Sequence, residues 1–356
     1  MGSRPLTITG LNEATEESIH HSHSIEFASS VTIEHKKALS FSVVICTHHD
    51  DRYRDTMDAI NSIQDQTISD CEIILVVDRN HALYNRFVEI FRDVSLVRII
   101  LNKDTPGLSG SRNVGVRNAT GDIIAFLDDD AIADRYWLEA LRDAYGDEKI
   151  IGCGGPIWPL WVSGEEKRIP EEFYWVMGCT YRGFKNVKKS VRSNFGSNMS
   201  FRRSALLHDD FDVNTGLLND KGVGEEVDIS LRILKNNPSS IIIHMPRAVV
   251  HHKIFNFRKS MKHLFNRCYQ YGLNIGSYTR DIDELSGRIG KDDKDMVGYI
   301  AFESIPERIV DFLSLDESSP TYQIKIAQFV LLLLSSITIA FGMFIGKIKR
   351  INMRPE

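Results

Sequence analysis

The chain has 356 residues, of which 42% are apolar and 26% charged, and its formal net charge is −5. This length and composition predict a folded protein of one large domain with an appendage, or two domains, and the weak charge argues against a global nucleic-acid footprint, so no nucleic-acid partner is expected. Five scattered cysteines, Cys46, Cys71, Cys153, Cys179 and Cys268, lack CxxC spacing and predict a reduced, intracellular chain without a disulfide framework or zinc site.

Residues 1–39 are polar, rich in Ser, Glu, His and Thr, and predict a flexible arm. No apolar stretch opens the chain, so no secretory signal peptide is expected. His20, His21 and His23 are a conceivable metal cluster, but a solvated polar tail is the simpler reading. Phe41–Cys46 is an apolar run of strand length, and Met57, Ala59, Ile60 and Ile63 predict a helix over 53–66. A second strand spans Cys71–Val77, a helix 81–91, a third strand Leu96–Leu101. After the break at Pro106-Gly107 a helix is expected over 109–119, then a fourth strand, Ile123–Leu127. Strands alternating with helices predict a three-layer α/β domain with a mainly parallel sheet.

The fourth strand ends in Asp128, Asp129 and Asp130. Ligands of parallel α/β sheets bind outside the carboxyl ends of the strands. Three adjacent carboxylates repel one another, so a positive partner is expected. Oxygen ligands suit Mg2+ or Mn2+, which also hold phosphates; a solvated acidic turn or helix start is the alternative. Thr47 and Asp78 follow other strands at the same rim, where an Asp accepts from a nucleobase N–H or caps a turn. The stretch Gly107-Leu-Ser-Gly-Ser-Arg112-Asn-Val-Gly115 is not the GxGxxG of dinucleotide binders. It brings small residues, helix N–H groups and Arg112 to the rim, a phosphate-facing arrangement.

Beyond Ile150 the chain turns rich in Gly, Pro and Trp. Trp158 and Trp161 are candidates for a sugar face or ordinary core anchors. Arg182, Lys185, Lys188, Lys189 and Arg192 form a basic run that suits a solvated loop or an anionic lipid or phosphate surface. Asn194–Phe201 reads as a turn into a strand. Gly222-Val-Gly224-Glu225-Glu226-Val-Asp228 opens a helix ending near Pro238; paired acids there stabilise the helix start, and they can also present a general base to a hydroxyl. Short strands are expected at Ile241–Ile243 and Ala248–Val250, and His251-His252 after the second is a candidate metal or phosphate contact.

Residues 253–272 alternate Lys253, Arg258, Lys259, Lys262 and Arg267 with large apolar residues and predict a basic amphipathic helix in a membrane interface, with packing onto the main domain as the rival. A linker over 281–298 and a second amphipathic helix over Phe302–Leu315 follow. Ile326–Ile345 carries no charged residue; as a helix it would be about 30 Å long, the thickness of a bilayer core, and it is expected to be transmembrane, with a buried helix as the alternative. Lys347, Lys349, Arg350 and Arg354 follow it and favour a cytoplasmic tail. With a single pass that tail places the main domain outside, whereas the basic 253–267 stretch argues for the main domain on the cytoplasmic face of the cell membrane; a re-entrant segment or an overridden charge rule would reconcile the two.

Taken in order, Phe41-Ser-Val-Val-Ile-Cys-Thr, Val77-Asp78, Gly107-Leu-Ser-Gly-Ser-Arg-Asn-Val-Gly, Phe126-Leu-Asp-Asp-Asp, Gly224-Glu-Glu-Val-Asp and Val250-His-His resemble glycosyltransferase family 2 over about residues 41–255. More narrowly, Val76-Val-Asp-Arg-Asn, the Phe126–Asp134 stretch, Pro170–Phe184 and Asn194–Arg203 resemble the archaeal glucosyl-dolichyl-phosphate glucuronosyltransferases of protein N-glycosylation. The resemblance implies a GT-A fold, a nucleotide-binding α/β half joined to an acceptor-binding half. It implies that Thr47 and Asp78 contact the nucleoside, with Arg112 near the base or diphosphate. Asp128 and Asp130 become a DxD motif, Asp129 lies within the donor site, and His251 is a further Mn2+ or Mg2+ ligand. Glu226 becomes the base, with Glu225 and Asp228 as its rivals.

The expectation is a membrane-associated inverting transferase moving a sugar, glucuronate by the resemblance, from a UDP-sugar to a dolichyl- or polyprenyl-phosphate-linked saccharide, alongside other glycan-assembly enzymes. The expected division is 1–39 arm, 40–150 nucleotide-sugar half, 151–252 acceptor half, 253–322 interfacial helices and linker, and 323–356 transmembrane helix and basic tail. Two alternatives stay open: a family 2 transferase using another donor on a surface polysaccharide or lipid phosphate, and a non-catalytic nucleotide-sugar-binding scaffold.

Overall fold

The first strand, β1 (Phe41–Thr47), lies between β2 (Cys71–Asp78) and β4 (Ile123–Asp128), both parallel to it, and β3 (Val97–Asn102) extends the parallel set beyond β2. The computed structural model describes residues 38–214, 224–277, 296–314 and 318–352. Residues 1–37 with the three histidines, Gly222, 281–295 of the expected linker, and Arg354 lie outside them.

Apolar alternation sorts these strands into two faces. Val43 and Ile45 of β1, with Ile73, Leu75 and Val77 of β2, face α1 (Tyr53–Gln64), α2 (His81–Ile90) and α4 (Trp137–Ala144) through Ile60, Phe87 and Trp137. Val44, Ile74 and Val76 face α3 (Leu108–Asn118) and α6 (Glu225–Asn236) through Val114, Ile229 and Ile233. Such burial on both faces is why Ile123–Leu127 is continuously apolar. Between α3 and α6 the chain adds β5 (Ala131–Ala133), β6 (Ile150–Gly154), β7 (Ile157–Trp161), β8 (Lys189–Val191), β9 (Met199–Arg202) and the short α5 (Arg203–Leu206); after α6 come β10 (Ile241–His244) and β11 (Val250–Ile254).

Among the described residues the main sheet runs β3-β2-β1-β4-β9-β6-β10-β8, and β5-β11-β7 form a second sheet. β9 and β8 are antiparallel to their neighbours; the other pairings in the main sheet are parallel. This is the three-layer, mainly parallel α/β architecture expected from the sequence. The carboxyl ends of β1, β2 and β4 deliver Thr47, Asp78 and Asp128 to one rim.

The second half departs from expectation in its strands: β6, β7 and β8 were not expected, and one expected strand is shifted. Ala248–Val250 was expected as the strand, but β11 starts at Val250 and runs through Lys253 to Ile254. Lys253 is buried in it because its Nζ pairs with Asp55 at 2.8 Å and Asp58 at 2.6 Å, both on α1. A lysine in a strand reads as a boundary until its distant partners are known.

Residues 253–272 likewise do not form one continuous interfacial helix. They divide into the end of β11, a 3-10 turn at Asn256–Lys259, and α7 (Met261–Ser277). Arg258 points into the acidic rim and Lys259 donates to the Gly164 carbonyl at 2.8 Å, so these charges serve the interior of the unit. The described end of the chain adds a π-turn (Ile300–Ser304), α8 (Ile305–Leu313) and α9 (Tyr322–Asn352). Fully buried Glu172 accepts from Ser304 at 2.7 Å and pairs with Arg308 at 3.2 Å, anchoring the approach to α8. Phe302, Val310 and Leu313 stay exposed, as an amphipathic element predicts.

Over Tyr322–Lys349, α9 is long and apolar enough to cross a membrane, with a mean hydropathy of 2.3. Val330, Leu334, Ile337, Phe341, Phe344 and Ile348 make an exposed stripe along it. Its other side meets α7 through glycines: Gly272 and Gly276 abut the Ile339 and Met343 carbonyls, and Gly342 and Gly346 abut those of Tyr269 and Leu273. The pairs advance together, so the helices run parallel, and the missing side chains let the backbones touch.

Candidate active site

The site grows from the end of β4. Asp128, Asp129 and Asp130 sit at the rim, and three guanidinium groups supply the positive charge their repulsion demands. Arg52, in the 3-10 turn Asp50–Arg52 after β1, donates to Asp130 Oδ2 at 3.1 Å. Arg258 donates to the same oxygen at 3.2 Å. Arg112, on α3 and 2% exposed, reaches Asp128 Oδ1 at 3.3 Å and Glu225 Oε1 at 2.9 Å. A Cβ on Gly196 would lie 2.6 Å from Arg112 Nη2, so glycine there gives the guanidinium its room.

His252 completes the rim. Its Nε2 lies 3.1 Å from Asp130 Oδ1. Ligand atoms of Asp128, Asp130 and His252 all fall within 4.8 Å of one another. Two carboxylates and an imidazole that converge this closely suit a divalent cation such as Mn2+ or Mg2+. The sequence reading chose His251 for this place. β11 pairs antiparallel with β5, setting His252 opposite Ala131 and His251 opposite Ile132. Opposed residues share a face and neighbours alternate, so His251 looks away from the acids. The Lys253 N–H to Asp130 carbonyl bond, 2.9 Å, locks this register.

The environment separates the acids. Burial, aided by Asp130, pushes Asp129 up to about 7 against the hydrogen bond it accepts from Thr47 Oγ1 at 2.7 Å. Burial also raises Asp128, with Arg112 pulling the other way. Asp130 is buried too, yet His252, Arg258 and Arg52 hold it well below the usual carboxylate range.

A cavity of about 290 Å³ opens on this rim, lined by Thr47, Arg52, Asp78, Gly107, the three acids and Arg258 among others. Asp78 accepts from the Gly107 N–H at 2.7 Å and from Asn102 Nδ2 at 2.9 Å, which brings the N-terminus of α3 to the cavity. Thr47, Asp78, Asp128 and Asp129 therefore come together as expected from the chain order. Arg112 does not open onto this cavity. Its arms are spent on Asp128 and Glu225, which outweigh the burial that disfavours its charge.

A second cavity of about 210 Å³ is lined by Glu226, Trp175, Tyr181, Phe184, Arg267 and Tyr271 among others. The three acids at the start of α6 have different surroundings. Glu225 is held by Arg112, and Asp228 by Arg232 at 2.8 Å one turn along the helix. Glu226 has no salt bridge among the described residues; burial, then Glu225 beside it, push it up to about 7.

Trp158 and Trp161 line neither cavity. Trp158 is 39% exposed, and Trp161 packs edge-on to Tyr174 at 5.7 Å. The aromatic wall comes from Trp175 and Tyr271, whose centroids are 4.6 Å apart. The basic run of 182–192 is dispersed as well. Arg182 pairs with Glu172 and Glu307, Lys189 covers the Phe184 ring at 3.8 Å, and Arg192 lines the second cavity. Sequence reasoning gave Arg52, Trp175, Arg258 and Arg267 no site role, and of the candidate pair His251-His252 it chose the first. The usable signals were the demand of three acids for cations and the surplus of basic residues after β11.

Residues 42–208 match the family model described as Glycosyl transferase family 2. The chain is 34% identical over 259 residues to the glucosyl-dolichyl phosphate glucuronosyltransferase of Haloferax volcanii, covering 72% of this chain and 81% of that one. It is 28% identical over 250 residues to the cholesterol galactosyltransferase of Borreliella burgdorferi, covering 68% and 63% respectively. A mannosyltransferase from Pyrobaculum calidifontis, solved with GDP-Man and Mn2+, aligns at a TM-score of 0.48 and 13% identity over 90% of this chain and 77% of that one. The α/β architecture is of the GT-A type, and the chain belongs to glycosyltransferase family 2.

Proposed function

We propose that this glycosyltransferase moves a sugar, glucuronate as the first choice, from a UDP-sugar to a lipid-phosphate-linked saccharide of N-glycan assembly, with inversion at the anomeric carbon. One observation carries the reading. Asp128, which lines the rim cavity, is joined through Arg112 to Glu225, the neighbour in sequence of Glu226 in the second cavity. A donor in the first and an acceptor in the second would face each other over that bridge. The names of two relatives, which concern a dolichyl phosphate and cholesterol, support an acceptor built on a lipid.

In this reading Asp78 and Thr47 border the nucleoside, and the N-terminus of α3 with Arg52 and Arg258 faces the diphosphate. Mn2+ or Mg2+ held by Asp128, Asp130 and His252 would offset the negative charge of the leaving diphosphate. Glu226 takes the proton of the acceptor hydroxyl, and a carboxyl group that titrates at about 7 is suited to that task. The freed oxygen attacks the anomeric carbon opposite the departing UDP, so one displacement inverts the configuration. Residues 40–150 serve the donor, and residues 151–252 with α7 serve the acceptor. The apolar stripe of α9 supports attachment at the membrane, and a UDP-sugar donor, scarce outside the cell, supports a catalytic domain on the cytoplasmic face; the exposed Lys347 and Lys349 near the end of α9 then fit a helix that re-enters rather than spans.

The test is UDP release by the detergent-solubilised protein with Mn2+, across UDP-glucuronate, UDP-glucose and UDP-N-acetylglucosamine, with and without a glucosyl polyprenyl phosphate. Acceptor-stimulated release from UDP-glucuronate alone, giving a product of inverted configuration, is expected. Release from another donor would move the pathway and keep the mechanism. No release with any donor would return the reading to a nucleotide-sugar-binding scaffold.

A further inference from the structure

Two residues that line the second cavity carry hydrogen-bond donors that the protein leaves unused, one of them sealed behind the cavity wall. Trp175 is 6% exposed, and its Nε1–H has no acceptor. Arg267, from α7, is half-buried and makes no hydrogen bond or ion pair among the described residues. Burial pulls the Arg267 guanidinium below its ordinary value; Glu226 pulls it back and Arg258 adds repulsion. Both residues line the same space as Glu226. Buried donors normally find partners, and a guanidinium withdrawn from water calls for an anion.

We propose that Arg267 and the Trp175 indole N–H form an oxyanion subsite that holds the phosphodiester of a lipid-linked sugar acceptor next to Glu226. This rests on the acceptor assignment made above and adds the group that is recognised. A neutral sugar hydroxyl would satisfy Trp175 and leave the Arg267 charge unmatched. A phosphodiester carries one negative charge and only acceptor oxygens, so it matches one guanidinium and one N–H. The surrounding rings of Tyr181, Phe184 and Tyr271 suit the sugar on one side and the first isoprene carbons on the other. The subsite also sits on α7, the helix that packs along α9, so a lipid rising beside α9 would reach it.

The experiment compares two acceptors, citronellyl glucosyl phosphate and octyl glucoside, and measures binding of citronellyl phosphate by calorimetry. Wild-type protein is expected to prefer the phosphodiester through a lower KM. Arg267→Gln should narrow that preference, and weaken citronellyl phosphate binding, by about tenfold or more, the scale of one charge-assisted pair. Arg267→Lys should recover part of both, and Trp175→Phe should weaken binding less. An unchanged preference together with unchanged binding in Arg267→Gln would overturn the subsite. If Arg267→Gln does not fold, equal KM values for the two acceptors in wild type would overturn it, and a clear phosphodiester preference weakened in Trp175→Phe would support it. If wild type transfers to neither acceptor, the acceptor assignment falls, while the binding measurement still decides whether Arg267 holds a phosphate.

Discussion

Arg112 and Glu225, 113 positions apart in sequence, meet at 2.9 Å with the arginine almost wholly buried. This contact ties α3 to α6, neutralises one acid of the Glu225-Glu226 pair, and leaves the other facing the second cavity. Removing the guanidinium would strand both Glu225 and Asp128.

Arg112→Ala should therefore cost about 3–5 kcal/mol, the usual penalty for breaking a buried ion pair, and lower the melting temperature measured by circular dichroism. Arg112→Lys should fall between, because one ammonium cannot reach both carboxylates with the same fork. A melting temperature unmoved in Arg112→Ala would mean that the bridge contributes nothing to the fold.

Glu226→Gln should lower kcat by about 10²–10⁴-fold, the range for a lost general base, with a smaller change in donor KM. Asp228→Asn, bound up with Arg232, should cost far less. The base must be ionised to accept a proton, so kcat should rise with pH up to a midpoint of about 7 and level off above it. Glu225 raises Glu226, so Glu225→Gln should shift that limb to lower pH. A pH profile flat from 5 to 9, a range of about two pH units either side of that midpoint, would remove Glu226 from the role.

Divalent cation binding distinguishes the adjacent histidines. His252→Ala should weaken Mn2+ binding, followed by electron paramagnetic resonance of the free ion, by about tenfold or more, whereas His251→Ala should leave it near wild type. Chelation with EDTA should abolish transfer in wild type and manganese should restore it. The reverse ranking of the two variants would place the wrong face of β11 at the acids.

The crossing of α7 and α9 depends on absent side chains. Gly272→Leu and Gly346→Leu would each press a side chain against a carbonyl of the other helix. Each should destabilise the detergent-solubilised protein by about 1–3 kcal/mol, as overpacking does, and the change at Gly272 should also disturb acceptor KM because Arg267, Gln270 and Tyr271 share its helix. Gly298→Leu, at a position with open space around its Cβ, is the control.

Local pattern was enough to read β1 to β4 and α1 to α3, whose type follows from unbroken apolar runs and helical spacing; β5 and α4 were not read. The acids follow their strand directly, so the placing of Thr47, Asp78 and Asp128–Asp130 on one rim was legible from residue order. The ordered motifs carried the family in the same way. What remained undetermined rests on contacts between distant segments. Whether His251 or His252 meets Asp130 depends on the register of β11 against β5, more than a hundred residues away, and a slip of one residue exchanges the two faces. The use of Arg258 and Lys253 inside the protein depends on Asp130, Asp55 and Asp58, none of them near in sequence. Adjacent acids at a helix start look alike in sequence, and only the distant Arg112 and the local Arg232 separate Glu226 from its neighbours. Composition along a segment sets what it can bury; the three-dimensional pairing of charges decides which of its groups remain free for a ligand.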